Sequence, residues 1–247
     1  MSTRNRERKA RKLAVEQAVR SELKERYYLR TAPVRQWTKS IGLMLAGLVV
    51  VAGLVFGAVK VIKMMDTNVS GPFGKISKQE LSQNKFATLT TSQGDIKIEL
   101  DAKTTPKTVA NFVLLAKKNF FDGIRFHRVI KDFMIQTGDP NSKDADQSND
   151  GTGGPGYQFN DEKVVGNYDR GVVAMANSGV NTNGSKFFIM HKDNSTMPKN
   201  YVIFGKVVAG MEIVDKIANL PVEDNGQGEQ SRPKEAITIN KIVLSAQ

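Results

Sequence analysis

Nineteen consecutive residues without a charge, Ile41 to Val59, partition this chain more firmly than any other feature of it. At 1.5 Å of rise per residue, about 20 apolar residues cross a hydrocarbon core of about 30 Å. Trp37 precedes the run, where an indole would lie at headgroup level, and Lys60 and Lys63 follow it. A buried core helix would usually carry a polar stripe, and this run has none. A signal peptide has a short basic region before an apolar stretch of roughly 7–15 residues. Here about 40 residues precede a longer run, and no clear Ala-x-Ala site follows. Residues 41–62 are therefore expected to form an uncleaved transmembrane helix, with the lipid bilayer as partner.

Charge sets the expected orientation. The chain carries a net charge of +11, and residues 1–40 hold 12 Lys and Arg against four Glu. The high pI therefore belongs mainly to a tail. Arg26, Arg30, Arg35 and Lys39 crowd one flank of the apolar run, while Lys60, Lys63, Lys75 and Lys78 follow the other. The whole basic tail tips the balance toward a cytoplasmic N-terminus and an extracytoplasmic C-terminal domain at the cell membrane. The tail mixes Arg, Lys, Glu, Ala and Leu from Arg4 to Arg30 and could form a helix. It could meet anionic headgroups or nucleic acid, but without interleaved aromatics it reads better as a solvated topogenic segment, and no nucleic acid is expected. Residues 63–85, with Gly71-Pro72 and Gly74, read as a linker. With no cysteine in the chain, disulfides, thiolate catalysis and cysteine-based zinc sites are excluded.

Residues 86–247 read as one domain. Ala87–Thr91 and Asp95–Leu100 alternate around Ser92-Gln93-Gly94, the pattern of a β-hairpin. Pro106 opens a helix whose Val109, Phe112, Val113 and Ala116 fall on one face. Residues 125–137, 171–177, 186–191 and 201–208 read as strands, 211–218 as a second helix and 236–244 as a closing strand. Many strands, two helices and glycine-rich turns predict a mainly β domain, a closed barrel capped by helices.

Within it, Arg128 stands among Phe126, Val129, Ile130, Phe133, Met134 and Ile135, with Gln136 following at strand spacing. A guanidinium is always charged and offers five donors, so setting it against apolar surface is costly unless something uses it. The combination suits a site that holds an apolar ring and polarises an amide beside it.

The blocks Phe126-His127-Arg128-Val129-Ile130, Phe133-Met134-x-Gln136-x-Gly138-Asp139, Gly151-Thr152-Gly153-Gly154, Met175-Ala176-Asn177, Asn181-Thr182-Asn183-Gly184-Ser185-x-Phe187-Phe188-Ile189 and Val202-Ile203-Phe204-Gly205-Lys206-Val207 occur in this order. Together they resemble the signature of the cyclophilin-type peptidyl-prolyl cis/trans isomerases, over residues 86–247. The resemblance implies a closed eight-stranded antiparallel β-barrel capped by two α-helices, and rotation of X–Pro bonds without a cofactor or metal. Such bonds have barriers of about 18–20 kcal/mol and relax over tens to hundreds of seconds unaided. Reaching milliseconds requires about 5.5–7 kcal/mol of barrier lowering. It is obtained by favouring the twisted amide, whose nitrogen has lost resonance and become basic. By resemblance Arg128 donates to that nitrogen and Gln136 helps to hold Arg128. Phe133, Met134 and Phe188 receive the proline ring, and Ala176 and Asn177 bind the peptide backbone.

The chain also departs from the family pattern. Lys186 stands where many members have glutamine, Thr196 and Met197 where a tryptophan-leucine pair is common, and Tyr201 where histidine is frequent. Met197 can still pack on a proline ring, whereas Thr196 cannot replace an indole. Lys186, Met197 and Tyr201 complete the expected binding set. Asp146-x-Ser148-x-Asp150-Gly151 begins like a calcium loop, but its twelfth position is Tyr157 rather than Glu, and no metal is expected. The expected function is a membrane-anchored prolyl isomerase acting on proline-containing peptides of folding or exported proteins. The alternatives are a proline-peptide binding or chaperone module with little turnover, and a functional basic tail with the barrel as passenger.

Overall fold

The hairpin expected around Ser92-Gln93 is present as β3 (Phe86–Thr91) and β4 (Gly94–Leu100), which pair antiparallel with Thr91 opposite Gly94. Every second residue faces inward, burying Ala87, Leu89 and Thr91 on one strand and Ile96, Ile98 and Leu100 on the other. Thr91 closes the turn, its hydroxyl accepting from Gln93 N at 3.1 Å and donating to Gly94 O at 2.6 Å. Gly94 has φ 133°, and a Cβ there would lie 2.6 Å from Ile213 Cδ1, so the turn lies directly against the second capping helix. The structure, a computed structural model, describes residues 7–30 and 68–247.

The remaining elements follow the apolar pattern. Residues 7–30 form helix α1, exposed along its whole length. Next come β1 (Asn68–Gly71), β2 (Gly74–Ser77) and α2 (Lys78–Gln83), then β3, β4 and α3 (Pro106–Lys117). After these lie β5 (Arg128–Ile130), β6 (Met134–Thr137), β7 (Val172–Met175), β8 (Phe187–Met190), β9 (Ile203–Ala209), α4 (Met211–Ala218), β10 (Val222–Asp224), β11 (Gln230–Pro233) and β12 (Ile239–Ser245). Pro106 opens α3, and Val109, Phe112, Val113 and Ala116 are all buried. Phe112 anchors the core, with Phe121, Phe187 and Phe204 at ring separations of 5.3, 5.5 and 5.4 Å.

Three expectations need correction. Eight antiparallel strands are present in the order β12-β3-β4-β9-β7-β8-β6-β5, but the ladder does not close as a continuous barrel. Its outer strands, β12 and β5, meet only through the bridge Arg125–Thr238 and neighbouring bonds such as Phe126 N to Ile237 O at 2.9 Å. The pairing involves residues just before β5, because β5 itself is only three residues long. The apparent strand over 125–137 is a tight hairpin, turned at Lys131–Phe133 with Asp132 at φ 61°. The third correction concerns residues 63–85. From Asn68 onward this stretch is a hairpin and a helix whose Val69, Phe73, Ile76 and Leu81 are buried in the main core, with Phe73 edge-on to Phe159 at 5.7 Å. Its apolar residues are too sparse to show a period, and Gly71-Pro72 and Gly74 are the stronger signal in the sequence.

Residues 41–62, expected to span a membrane, lie outside the described residues. Among the described residues no helix is long and apolar enough to cross a membrane.

Strands β7 and β8 position the site. Both are buried on each face, so their side chains alternate between two apolar layers. Val173, Met175, Phe187 and Ile189 enter the main core. Val172, Ala174, Phe188 and Met190 build a second cluster with Met134, Tyr168 and Ala176.

Candidate active site

Met134, Ala176 and Phe188 of the second cluster floor a cavity of about 310 Å3. Arg128 enters it from β5, Met134 and Gln136 from β6, and Phe133 from the turn between them. Ala176 and Asn177 follow β7, Lys186 immediately precedes β8, and Phe188 lies within β8. Met197 and Tyr201 come from the long connection to β9. All ten residues expected in the site from the sequence therefore line one cavity, joined by Ser178 and by Gly151, which the sequence offered only as part of a motif. Thr196 is not in the lining, and its hydroxyl bonds Asn194 Oδ1 at 2.9 Å.

The apolar floor is rigidly set. Met134 and Phe188 are 1% and 3% exposed, so their positions are fixed by packing before any peptide arrives. Tyr201 lies edge-on to Phe188 with ring centroids 5.6 Å apart. Tyr168, beneath it, donates its hydroxyl to Tyr201 O at 2.9 Å and accepts from Tyr201 N at 3.0 Å. Asn177 Nδ2 donates to Asn200 O at 2.9 Å, tying the strand-like rim to the same connection. Gly138 makes this packing possible, since a Cβ there would come within 2.3 Å of Ser185 O.

The cations are separated by their partners. Arg128 donates from Nε and Nη2 to the two carboxylate oxygens of Glu229, each at 2.7 Å. The guanidinium holds the Glu229 carboxyl below the usual carboxylate range, although its burial opposes this. Lys186 donates to the Gly151 carbonyl, so its ammonium is tied to the cavity wall. Burial lowers the Lys186 pKa, and the nearby Asp139 carboxylate opposes the shift. His127 is pushed down to about 4 by burial, which keeps it neutral beside Arg128.

Gln136 stands opposite Arg128 in the β5–β6 ladder, on the neighbouring strand and not further along a single one. Its amide, however, lies 3.1 Å from His127 Nε2, and the partner clasping the guanidinium is Glu229. Glu229 escaped the sequence reading because it lies 101 residues beyond Arg128. Asn225-Gly226 between short polar strands was the available turn signal for its hairpin, β10–β11. Behind Arg128, Gln136 and Gly151 a second, polar chamber of about 440 Å3 opens, lined also by Asp150, Glu229 and Arg232. Asp146, the start of the calcium-like stretch, closes its own turn, accepting from Ser148 N at 3.0 Å and Ser148 Oγ at 2.6 Å.

Comparison with known proteins agrees with this geometry. The family described as cyclophilin type peptidyl-prolyl cis-trans isomerase/CLD matches residues 86–244. The chain is 43% identical over 161 residues to the peptidyl-prolyl cis-trans isomerase-like 3 of Gallus gallus, covering 64% of this chain and 95% of that protein. The Homo sapiens protein of the same name is 42% identical over 164 residues, with the same coverage. A crystal structure of a Cryptosporidium parvum cyclophilin type peptidyl-prolyl cis-trans isomerase superposes with TM-score 0.58 at 34% identity, covering 66% of this chain and 98% of that one. A second structure of that protein, obtained in the presence of the dipeptide Ala-Pro, gives the same score and identity. With a floor, a rim and a fixed guanidinium in family order, the chain belongs to the cyclophilin-type peptidyl-prolyl cis-trans isomerases.

Proposed function

We propose that the chain is a membrane-anchored peptidyl-prolyl cis/trans isomerase in which Arg128 stabilises the twisted X–Pro amide. The observation that carries this reading is the cavity itself, where a guanidinium with a fixed plane stands beside an apolar floor of Phe133, Met134 and Phe188. A proline ring fits such a floor, and an extended peptide would run along Ala176 and Asn177. The relative crystallised with Ala-Pro supports an X–Pro dipeptide as the minimal ligand. As the amide twists, the nitrogen lone pair, delocalised into the carbonyl in the planar amide, becomes localised and basic. A donor aimed at that nitrogen lowers the barrier without binding either planar isomer more tightly.

The uncharged run at 41–59 supports anchoring through residues 41–62, and the basic tail supports a cytoplasmic N-terminus. The isomerase domain would then act outside the cytoplasm on proline-containing segments of unfolded or exported proteins. The experiment is relaxation of an Ala-Pro peptide by the full chain, with Arg128→Ala as control. A rate well above buffer, lost about a hundredfold or more in the variant, is expected. A wild-type rate equal to buffer, together with protection of an aggregating client, would instead establish a binding module. Protease sensitivity of the domain in intact cells, without lysis, tests the orientation.

A further inference from the structure

In the reading above, Arg128 must present a donor to one face of an amide, yet a free arginine side chain samples many rotamers. Its guanidinium is a planar fork, so fixing two of its donors fixes its plane. Glu229 takes Nε and Nη2 at 2.7 Å each and leaves Nη1 on the uncommitted edge of the fork. Arg128 lines both the cavity floored by Phe133, Met134 and Phe188 and the second chamber, whereas Glu229 lines only the second chamber. The carboxylate therefore backs the arginine without occupying the place of a proline.

The loop that delivers Glu229 is itself braced. Asp224 Oδ1 accepts from Gly226 N at 2.7 Å and from Gly228 N at 3.2 Å. Asn225 Oδ1 accepts from Gln227 N at 2.9 Å, and Asn225 N donates to Glu229 O at 3.0 Å. Gly226 and Gly228 adopt φ 88° and 87°, which lets the chain turn twice within this short loop. A latch that must swing away would not need such bracing, whereas a clamp does.

We propose that Glu229 is the positioning residue of the isomerase site, holding the Arg128 guanidinium in the plane from which Nη1 meets the twisted amide. This rests on the isomerase reading and deepens it. It assigns to a carboxylate on the β10–β11 hairpin the task that the family resemblance implied for Gln136.

The test compares the full chain with Glu229→Ala, Glu229→Gln and Arg128→Ala in Ala-Pro peptide exchange at saturating and subsaturating peptide. Thermal unfolding is followed for each. The expected result is a fall in kcat of about ten- to hundredfold for Glu229→Ala, the scale of a misplaced catalytic group. The peptide KM stays within about threefold, because the apolar floor is untouched. Glu229→Gln, which keeps one acceptor oxygen, recovers part of the loss, and it carries the comparison if the alanine variant unfolds. An unchanged kcat in the glutamine and alanine variants would overturn the proposal, and a raised one would make Glu229 an inhibitory latch instead. A wild-type chain no faster than buffer would overturn the isomerase reading and the proposal with it. Failure of the proposal alone leaves the wild type fast and Arg128→Ala slow.

Discussion

Gln136 and His127 meet across the β5–β6 hairpin with their Nε2 atoms 3.1 Å apart. Because an amide nitrogen can only donate, His127 Nε2 is the acceptor and the imidazole is neutral. Burial holds its pKa at about 4. An unfolded chain takes up this proton near pH 6.5 and the folded chain only near 4, so between these values the unfolded state binds more protons. The stabilisation is fully present above pH 6.5 and is lost progressively as pH falls toward 4, by about 3 kcal/mol in all. Urea unfolding of the full chain at pH 7, 6, 5 and 4 should show this decline. His127→Gln should flatten it over the same window, and an equally steep decline in that variant would place the titration elsewhere.

Lys186 brings a second positive charge to the lining of the Arg128 cavity, but its ammonium is bonded to the Gly151 carbonyl. The charge is thereby used to fix the glycine-rich wall instead of facing the peptide. Lys186→Gln keeps a donor at this place and should leave kcat/KM within about threefold, whereas Lys186→Ala strands the carbonyl and should cost about 1–3 kcal/mol of stability. A tenfold gain in kcat/KM for the glutamine variant would mean that the cation opposes Arg128 after all.

Tyr168 makes two hydrogen bonds through one hydroxyl, both to the backbone of Tyr201. Tyr168→Phe leaves a part-buried N–H and C=O short of partners and should cost about 1 kcal/mol. Since Tyr201 packs on Phe188, the same variant should raise the peptide KM severalfold with kcat little changed. A KM equal to wild type would show that Tyr201 keeps its place by ring packing alone.

The elements legible in the sequence are those whose burial follows a single period. Leu89 with Ile96, and Val109 with Phe112, announce one inward face each, and both faces are inward in the structure. The residues that line the cavity were legible from the blocks of the family resemblance, which run along the β5–β6 hairpin, past the end of β7 and along β8. What pattern alone could not supply was a partnership across distance. Arg128 meets Glu229 because a hairpin with intermediate burial on β10 folds back beside β5, and half-exposed polar strands carry no alternation to read. The near-continuous apolar run of β8 likewise does not show that alternate side chains serve two separate layers.

The hairpin ahead of β3 was illegible for a related reason, and it sets the limits of the folded unit. Val69, Phe73, Ile76 and Leu81 are buried within the same core as Phe112. Ser77 caps α2 by accepting from Glu80 N at 3.0 Å, and Glu80 reaches Lys117 on α3. The family match begins only at residue 86, so a fragment cut to that boundary would lose all four apolar side chains. Fully burying such a side chain contributes about 1.5–3 kcal/mol, against a typical net stability of about 5–15 kcal/mol. A fragment of residues 67–247 should therefore unfold cooperatively at a clearly higher temperature than one of residues 86–247, and the shorter one should bind a hydrophobic dye at the uncovered Phe159 edge. Phe73→Ala in the longer fragment should account for about 3–5 kcal/mol of the difference. Equal melting temperatures for the two fragments would mean that residues 68–83 merely rest on the core.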